Sequence, residues 1–273
     1  LMRRYALFAL FLFQAASLPA MNKQPWLGNL YEFEGAIVQE HTHSSTVSTT
    51  NGRQHKSLHS DHTKAMLSVT PSTHIHAGIE LDLAKTQKKG YGFDSFKAAM
   101  CYSWLNDIAE DAISLTTGLR ASVSTASRVA DLSSLNHGIC ELEANLAIGK
   151  EFGYSGNGFY RAWAAGYAGS AGKGSPWIGA ECHLERVIHD RHFMGIFLLA
   201  EKGTSSHKLS KHTHFRRWAS IGYEFEDVGI RYAFKESWLA SAYVQVAKRI
   251  HAHFCPRNSW SVQIGINVPF SLV

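Results

Sequence analysis

The sequence predicts an all-β chain closed into a single antiparallel transmembrane β-barrel of about 12 strands. Three observations predict it. Some dozen segments alternate apolar and polar residues at a period of two, so each has one greasy and one polar face. The connections between them alternate between short and long. The last segment, Ser261 to Phe270, ends on an aromatic residue of the kind that anchors a strand at a membrane–water boundary.

Composition bounds the same class. Twenty-two glycines, six prolines and 12% aromatic residues suit many strands joined by turns. Residues 21–273 contain no apolar run long enough for a transmembrane helix. The mean hydropathy of −0.15 is what a barrel gives when half of each strand faces a polar lumen. A net charge of +5 is too modest to argue for a nucleic-acid partner.

The elements follow in chain order. Arg3 and Arg4, an apolar core from Tyr5 to Phe13 and a small-residue tail from Gln14 to Ala20 have the layout of a secretory signal peptide. The expected division is therefore a signal peptide over 1–20 and an outer-membrane β-barrel domain over 21–273. The apolar core is shorter than the ~20 helical residues that span a bilayer. No cysteine precedes Cys101, which argues against a lipoprotein anchor.

Strands are expected over 30–41, 62–70, 74–85, 93–105, 112–125, 138–150, 159–169, 177–188, 192–203, 215–235, 240–254 and 259–270. In the third, Ile75, Ala77, Ile79, Leu81 and Leu83 oppose His76, Gly78, Glu80 and Asp82. In the fifth, Ile113, Leu115, Leu119 and Val123 oppose Ser114, Thr116, Arg120 and Ser122. The sixth sets Leu142, Ala144, Leu146 and Ile148 against Glu141, Glu143 and Asn145. The eleventh sets Ala242, Val244, Val246, Ile250 and Ala252 against Tyr243, Gln245, Arg249 and His251. Segment 215–235 is too long for one simple strand, and its alternation changes phase near Glu226-Asp227, which predicts a β-bulge there. Turns at 71–73, 106–111 and 189–191 are short and belong on the periplasmic side. The stretches 44–61, 126–137 and 204–214 are rich in Ser, Thr, His and Lys and read as external loops. Trp104, Trp177, Trp218 and Trp260 fall near strand ends and are expected at the membrane interface.

The order Gln263, Gly265, Val268, Phe270 resembles the C-terminal insertion signal of bacterial outer-membrane barrels, except that Ser271-Leu272-Val273 follow the aromatic. Trp26-Leu27-Gly28-Asn29, Tyr102 to Ile108 and Cys255-Pro256 resemble segments of uncharacterised envelope barrels of chlamydia-like bacteria. That resemblance implies an outer-membrane location and the lipid, lipopolysaccharide and barrel-assembly machinery that go with it. It implies no activity.

The polar faces supply the candidate site. Glu80, Asp82, Arg120, Glu141, Glu143, Arg161, Glu181, His183, Glu185 and Arg249 are expected to line the lumen. Opposite charges on strands ~4.8 Å apart pair across the wall, and a buried charge left unpaired is costly. They make either a salt-bridged interior or a selective channel lining. Three His-x-His pairs, His41/His43, His212/His214 and His251/His253, are candidate metal ligands, because residues two apart in extended chain point the same way. No cofactor is expected. His43-Ser44-Ser45 and His55-Lys56-Ser57 have the His-x-Ser spacing of outer-membrane phospholipases, but no later Asn stands where it would orient the base, so no catalysis is expected. Cys140 and Cys182 are placed facing lipid on strands separated by a third, ~9.6 Å apart, beyond the ~7 Å a disulfide tolerates. Cys101 is placed in the lumen, and Cys255 in an external loop, open to another chain. The function expected is a small solute channel or structural envelope protein. The alternative is a surface-binding module whose basic, His-rich loops hold extracellular polyanions.

Overall fold

The computed structural model describes residues 23–270 except 135, 173, 211–214 and 237–239. Twelve antiparallel strands close into one barrel, each paired with its sequence neighbours and the last with the first. They are β1 (Phe33–Thr49), β2 (Gly52–Ser72), β3 (Ile75–Thr86), β4 (Gly92–Leu105), β5 (Ser114–Ser124) and β6 (Cys140–Ser155), then β7 (Gly158–Ser170), β8 (Trp177–Ile188), β9 (His192–Gly203), β10 (Glu224–Glu236), β11 (Ala240–His253) and β12 (Pro256–Phe270). The expected signal peptide lies outside the described residues.

Alternation decides which side of the wall each residue takes. Ile79, Leu119, Leu142, Leu146, Ile196, Ile230, Ile264 and Ile266 all point outward and are exposed. A continuous apolar exterior of this kind is stable only against lipid. The inward faces of the same strands carry Glu80, Asp82, Arg120, Glu143 and Asn267. The barrel therefore spans a membrane with a polar interior. The seam closes where Phe33 pairs with Phe270, their rings stacked 5.6 Å apart. Inward glycines let aromatic rings lie flat against the wall. A Cβ at Gly265 would stand 2.1 Å from the Tyr243 ring, and one at Gly179 would meet the Tyr167 ring at the same distance.

Three expectations are corrected. The stretch 44–61 is not a loop. β1 and β2 continue through it to a two-residue turn at Thr50-Asn51, with Thr49 opposite Gly52 and Gly52 at a φ of 96°. Ser, Thr and His satisfy strand geometry without apolar alternation once the hairpin rises clear of lipid. The bulge falls at Glu226/Asp227 as expected, but the extra residue is Ile250 on β11. Glu226 opposes His251, Asp227 opposes Arg249, and the pairing of β10 with β9 is regular. β10 itself begins at Glu224, after a short helical turn over Trp218–Ser220. Finally, Trp104 and Trp260 face outward, whereas Trp177 and Trp218 are buried. Trp177 occupies an inward position of β8 and Trp218 packs under the external loops.

Candidate functional site: the lumen

The expected lining residues Glu80, Asp82, Arg120, Glu141, Glu143, Arg161, Glu181, His183, Glu185 and Arg249 all fall on the inward faces. Register explains how they pair. Arg120 lies directly opposite Glu143, and Arg120 Nη2 donates to Glu143 Oε2 at 2.8 Å. Glu80 lies opposite Lys97, whose Nζ donates to it at 2.6 Å. Arg161 lies opposite Glu151, and the two form a tight ion pair. Arg249 grips Asp227 through Nε at 2.8 Å and Nη2 at 3.0 Å. Lys64 adds a bond to Glu40 at 2.6 Å. Charges of opposite sign thus neutralise one another around the wall, as low-dielectric burial demands. His183 sits between the rings of Trp163 and Phe197, with Glu181 3.7 Å from its Nε2. Glu185 is buried.

Sequence reasoning missed the counter-ions Glu40, Lys64, Lys97, Glu151, Glu201 and Asp227. Each carries the inward parity of its strand, which is the signal that finds them. It also missed the contents of the lumen. Residues 23–29 do not extend away from β1 but fold up inside the barrel. Asn29 and Tyr31 stand at the periplasmic rim, where Tyr31 N donates to Thr70 O at 2.8 Å. Trp26 is buried, donates to Asp107 Oδ1 at 2.8 Å and meets Trp163 edge-on, centroids 5.7 Å apart. The Arg161 guanidinium lies 5.0 Å from the Trp26 ring centroid. Pro25 is fully buried, and Lys23 reaches the upper wall. There its Nζ sits 3.3 Å from Glu143 Oε1 and 3.4 Å from the Tyr167 ring centroid. Below and beside this segment Val38, Phe159, Val187, Phe193, Ala233 and Tyr243 fill the inner wall with an apolar cluster.

The external mouth is also occupied. The connection 125–139 turns inward, so Arg128, Asp131, Leu132, Ser134 and Asn136 are buried. Arg128 donates through Nη2 to the carbonyls of Ala84, Gly90 and Gly92. Leu132 joins Val47, Leu58, Leu209, Trp218 and Ile221 in an apolar cluster beneath the connection between β9 and β10. His137 anchors the loop. Its ring stacks on Trp177 with centroids 3.8 Å apart and planes 5° from parallel. Its Nε2 lies 2.7 Å from Tyr223 Oη and 3.2 Å from Glu201 Oε1, and its backbone N–H donates to Glu141 Oε1 at 2.5 Å. Burial pushes the imidazole pKa down. Hydrogen bonds to Glu141 and Glu201, with their charges, outweigh it and hold the pKa up at about 9. Between mouth and N-terminal segment a cavity of about 100 Å³ remains, lined among others by Glu40, Thr42, Ser60, Ser133 and Arg249.

The two described histidine pairs stand on β1 and β11, with β12 between them. His41 and His43 lie on the outer face of β1 against Trp260, and His41 Nδ1 is 2.6 Å from Asp61. His251 and His253 pack against each other on β11, ring centroids 4.7 Å apart, with β12 intervening. His212 and His214 lie outside the described residues. His43 and Ser45 of the His-x-Ser spacing stand on β1, not in a loop, and Ser45 Oγ accepts from Asn258 Nδ2 at 2.9 Å. Cys140 and Cys182 face outward and Cys101 inward, as expected, and the four cysteines are unpaired. Cys255 is fully buried and donates toward Glu224 O at 3.3 Å, which shields it from another chain.

No protein-family model matches the chain, and no curated protein matches it. Solved structures do. An outer membrane channel from Pseudomonas putida F1 matches over 93% of this chain and all of its own, with a TM-score of 0.62 and 9% identity. The NanC porin matches over 85% of this chain and 98% of its own, with a TM-score of 0.57 and 6% identity. The KdgM porin matches over 86% and 99%, with a TM-score of 0.53 and 11% identity. At these identities the likeness is one of fold. The chain has the fold of bacterial outer-membrane β-barrels, and its comparators include porins and channels.

Proposed function

We propose that the chain is a porin-like outer-membrane channel that this structure captures in a closed form. One observation carries the reading. The lumen is lined by charge over much of its height, and besides strand side chains it holds a separable segment, residues 23–29, together with loops folded in from the mouth. A barrel built only as a wall needs neither. Side chains of the strands themselves would fill it. Within this class, the resemblance of Trp26-Leu27-Gly28-Asn29 and Tyr102 to Ile108 to envelope barrels of chlamydia-like bacteria supports an affiliation with that group. The reading involves no catalytic step.

The test is conductance in planar lipid bilayers. The full chain should give small or brief openings, and a variant lacking residues 23–29 should give larger and longer ones. Two silent proteins, both verified as folded by their gel shift on boiling, would leave a purely structural barrel. The second reading is polyanion binding at the surface. It is favoured by the raised β1–β2 hairpin, which exposes Arg53, His55 and Lys56 beyond the rim.

A further inference from the structure

Two acidic side chains in the upper lumen lack the lysine or arginine hydrogen bonds that their neighbours have. Asp82 on β3 and Asp94 on β4 are both almost wholly buried. Asp94 is the bulged residue of its strand. Asp82 opposes Ser95 and Leu83 opposes Phe93, so Asp94 has no partner in the register and turns inward beside Ser95. The nearby lysines are committed elsewhere, Lys64 to Glu40 and Lys97 to Glu80, each at 2.6 Å. Arg128 spends Nη2 on backbone carbonyls, and its Nε stops 4.0 Å short of Asp94 Oδ1. That leaves His62, whose Nδ1 lies 3.1 Å from Asp82 Oδ2. Asp94 Oδ2 accepts from Asn136 Nδ2 at 2.7 Å, while Asp94 Oδ1 is buried without a hydrogen-bond partner. An orphaned carboxylate oxygen of this kind is costly unless something positive faces it.

We infer that His62, Asp82 and Asp94 bind a single divalent transition-metal ion, with zinc the ion their donors suit best. One atom from each residue lies within 4.8 Å of the others. Zinc bonds to imidazole nitrogen and carboxylate oxygen of about 2.0–2.2 Å place tetrahedral ligands about 3.4 Å apart. The three side chains therefore close by an ångström or so around the ion, and water completes the shell. One nitrogen with two carboxylate oxygens suits zinc over calcium or magnesium, which prefer all-oxygen sets. Asn136 orients Asp94 from behind, the supporting hydrogen bond that metal-binding carboxylates require. The ion ties β2, β3 and β4 together and, through Asn136, to the loop that fills the mouth. The inference holds whether or not the lumen conducts.

The experiment is zinc titration by calorimetry of the full chain, stripped with chelator and folded in detergent. One zinc per barrel should bind at this site. Asp94→Asn keeps the shape of the side chain, and His62→Gln keeps a polar group. Each should lose at least tenfold in affinity, whereas His41→Ala/His43→Ala should bind this zinc unchanged. Equal binding by all variants, or no binding by the parent, overturns the site. X-ray absorption at the zinc edge of the loaded parent needs no variant. A shell of one imidazole among oxygens supports the site. A shell of several imidazoles assigns the ion to the outer histidine pairs and overturns it.

Discussion

Substituting His137 by phenylalanine keeps a ring on Trp177 and removes a proton from the mouth. The parent histidine has a pKa held at about 9 in the closed loop. In an open loop, exposed to water, it returns to about 6.5. A group whose pKa is raised in the closed state favours closure fully below about pH 6.5. The contribution then falls as pH rises and is gone once pH passes about 9. The difference of some 2.5 units at 1.36 kcal/mol each amounts to about 3 kcal/mol of loop closure. That is roughly tenfold in the open-to-closed ratio for each pH unit crossed. Two assays read it. Stacked against a charged imidazole, Trp177 is quenched, so emission should rise between pH 7 and 9.5. Open probability in bilayers should rise over the same window if the channel reading holds. Both changes should vanish in His137→Phe. An identical pH profile in parent and variant would refute the reasoning, as would tighter closure at alkaline pH.

Closure of the barrel depends on the terminal strand. Gly265→Ala would put a methyl group into the Tyr243 ring and should cost about 1–3 kcal/mol of stability, read as a lower temperature for loss of the gel shift. Phe270→Ala removes the stack on Phe33 and should slow assembly, measured as the rate at which the heat-modifiable form appears in lipid vesicles. Glu141→Gln/Glu143→Gln should release both the loop and Lys23, so the predicted change is more frequent opening first and weaker cation preference second, both read from single-channel records. Unchanged traces would place these carboxylates outside any conducting path. On the outer surface, binding of dextran sulfate should weaken with salt and strengthen from pH 7.5 to 5.5 as loop histidines charge, and binding indifferent to both would exclude the hairpin as a polyanion site.

The strands were legible where lipid imposes alternation and illegible where it does not. β3, β5, β6 and β12 could be read residue by residue, because one face must be apolar and the other polar, and β11 only as far as Ile250, past which the bulge turns Ala252 inward. The β1–β2 hairpin rises beyond the bilayer, so Ser44 to Leu58 carries no such pattern and resembles a loop. The inward charges on the wall followed from parity alone. Their partners were harder, since Glu40, Lys64 and Glu151 sit in segments whose register only the closed barrel fixes. The phase change near Glu226 located the bulge but not the strand that bears the extra residue. Nothing local marks residues 23–29 as lumen contents. Trp26 and Pro25 are informative only through Asp107, Trp163 and Gly149, which are 81 or more positions away in sequence. The same holds for loop 125–139, whose hydroxyl-rich sequence suggests solvent while Arg128, Asp131 and Asn136 are pinned inside.

The upward path of residues 23–29 also fixes a direction of travel. The described chain approaches β1 from within the barrel, with Lys23 against Glu143 and Tyr167 high on the wall and Tyr31 at the rim. A peptide grafted at Lys23 would have to thread the pore, like a cord through a sleeve, before it met solvent. The segment lies inside the seam where Phe33 meets Phe270, so closure of the strands and capture of the cord are predicted to be one event. A bulky fusion at this end should stall the seam itself, while the same fusion carried on the tip of the β1–β2 hairpin should not.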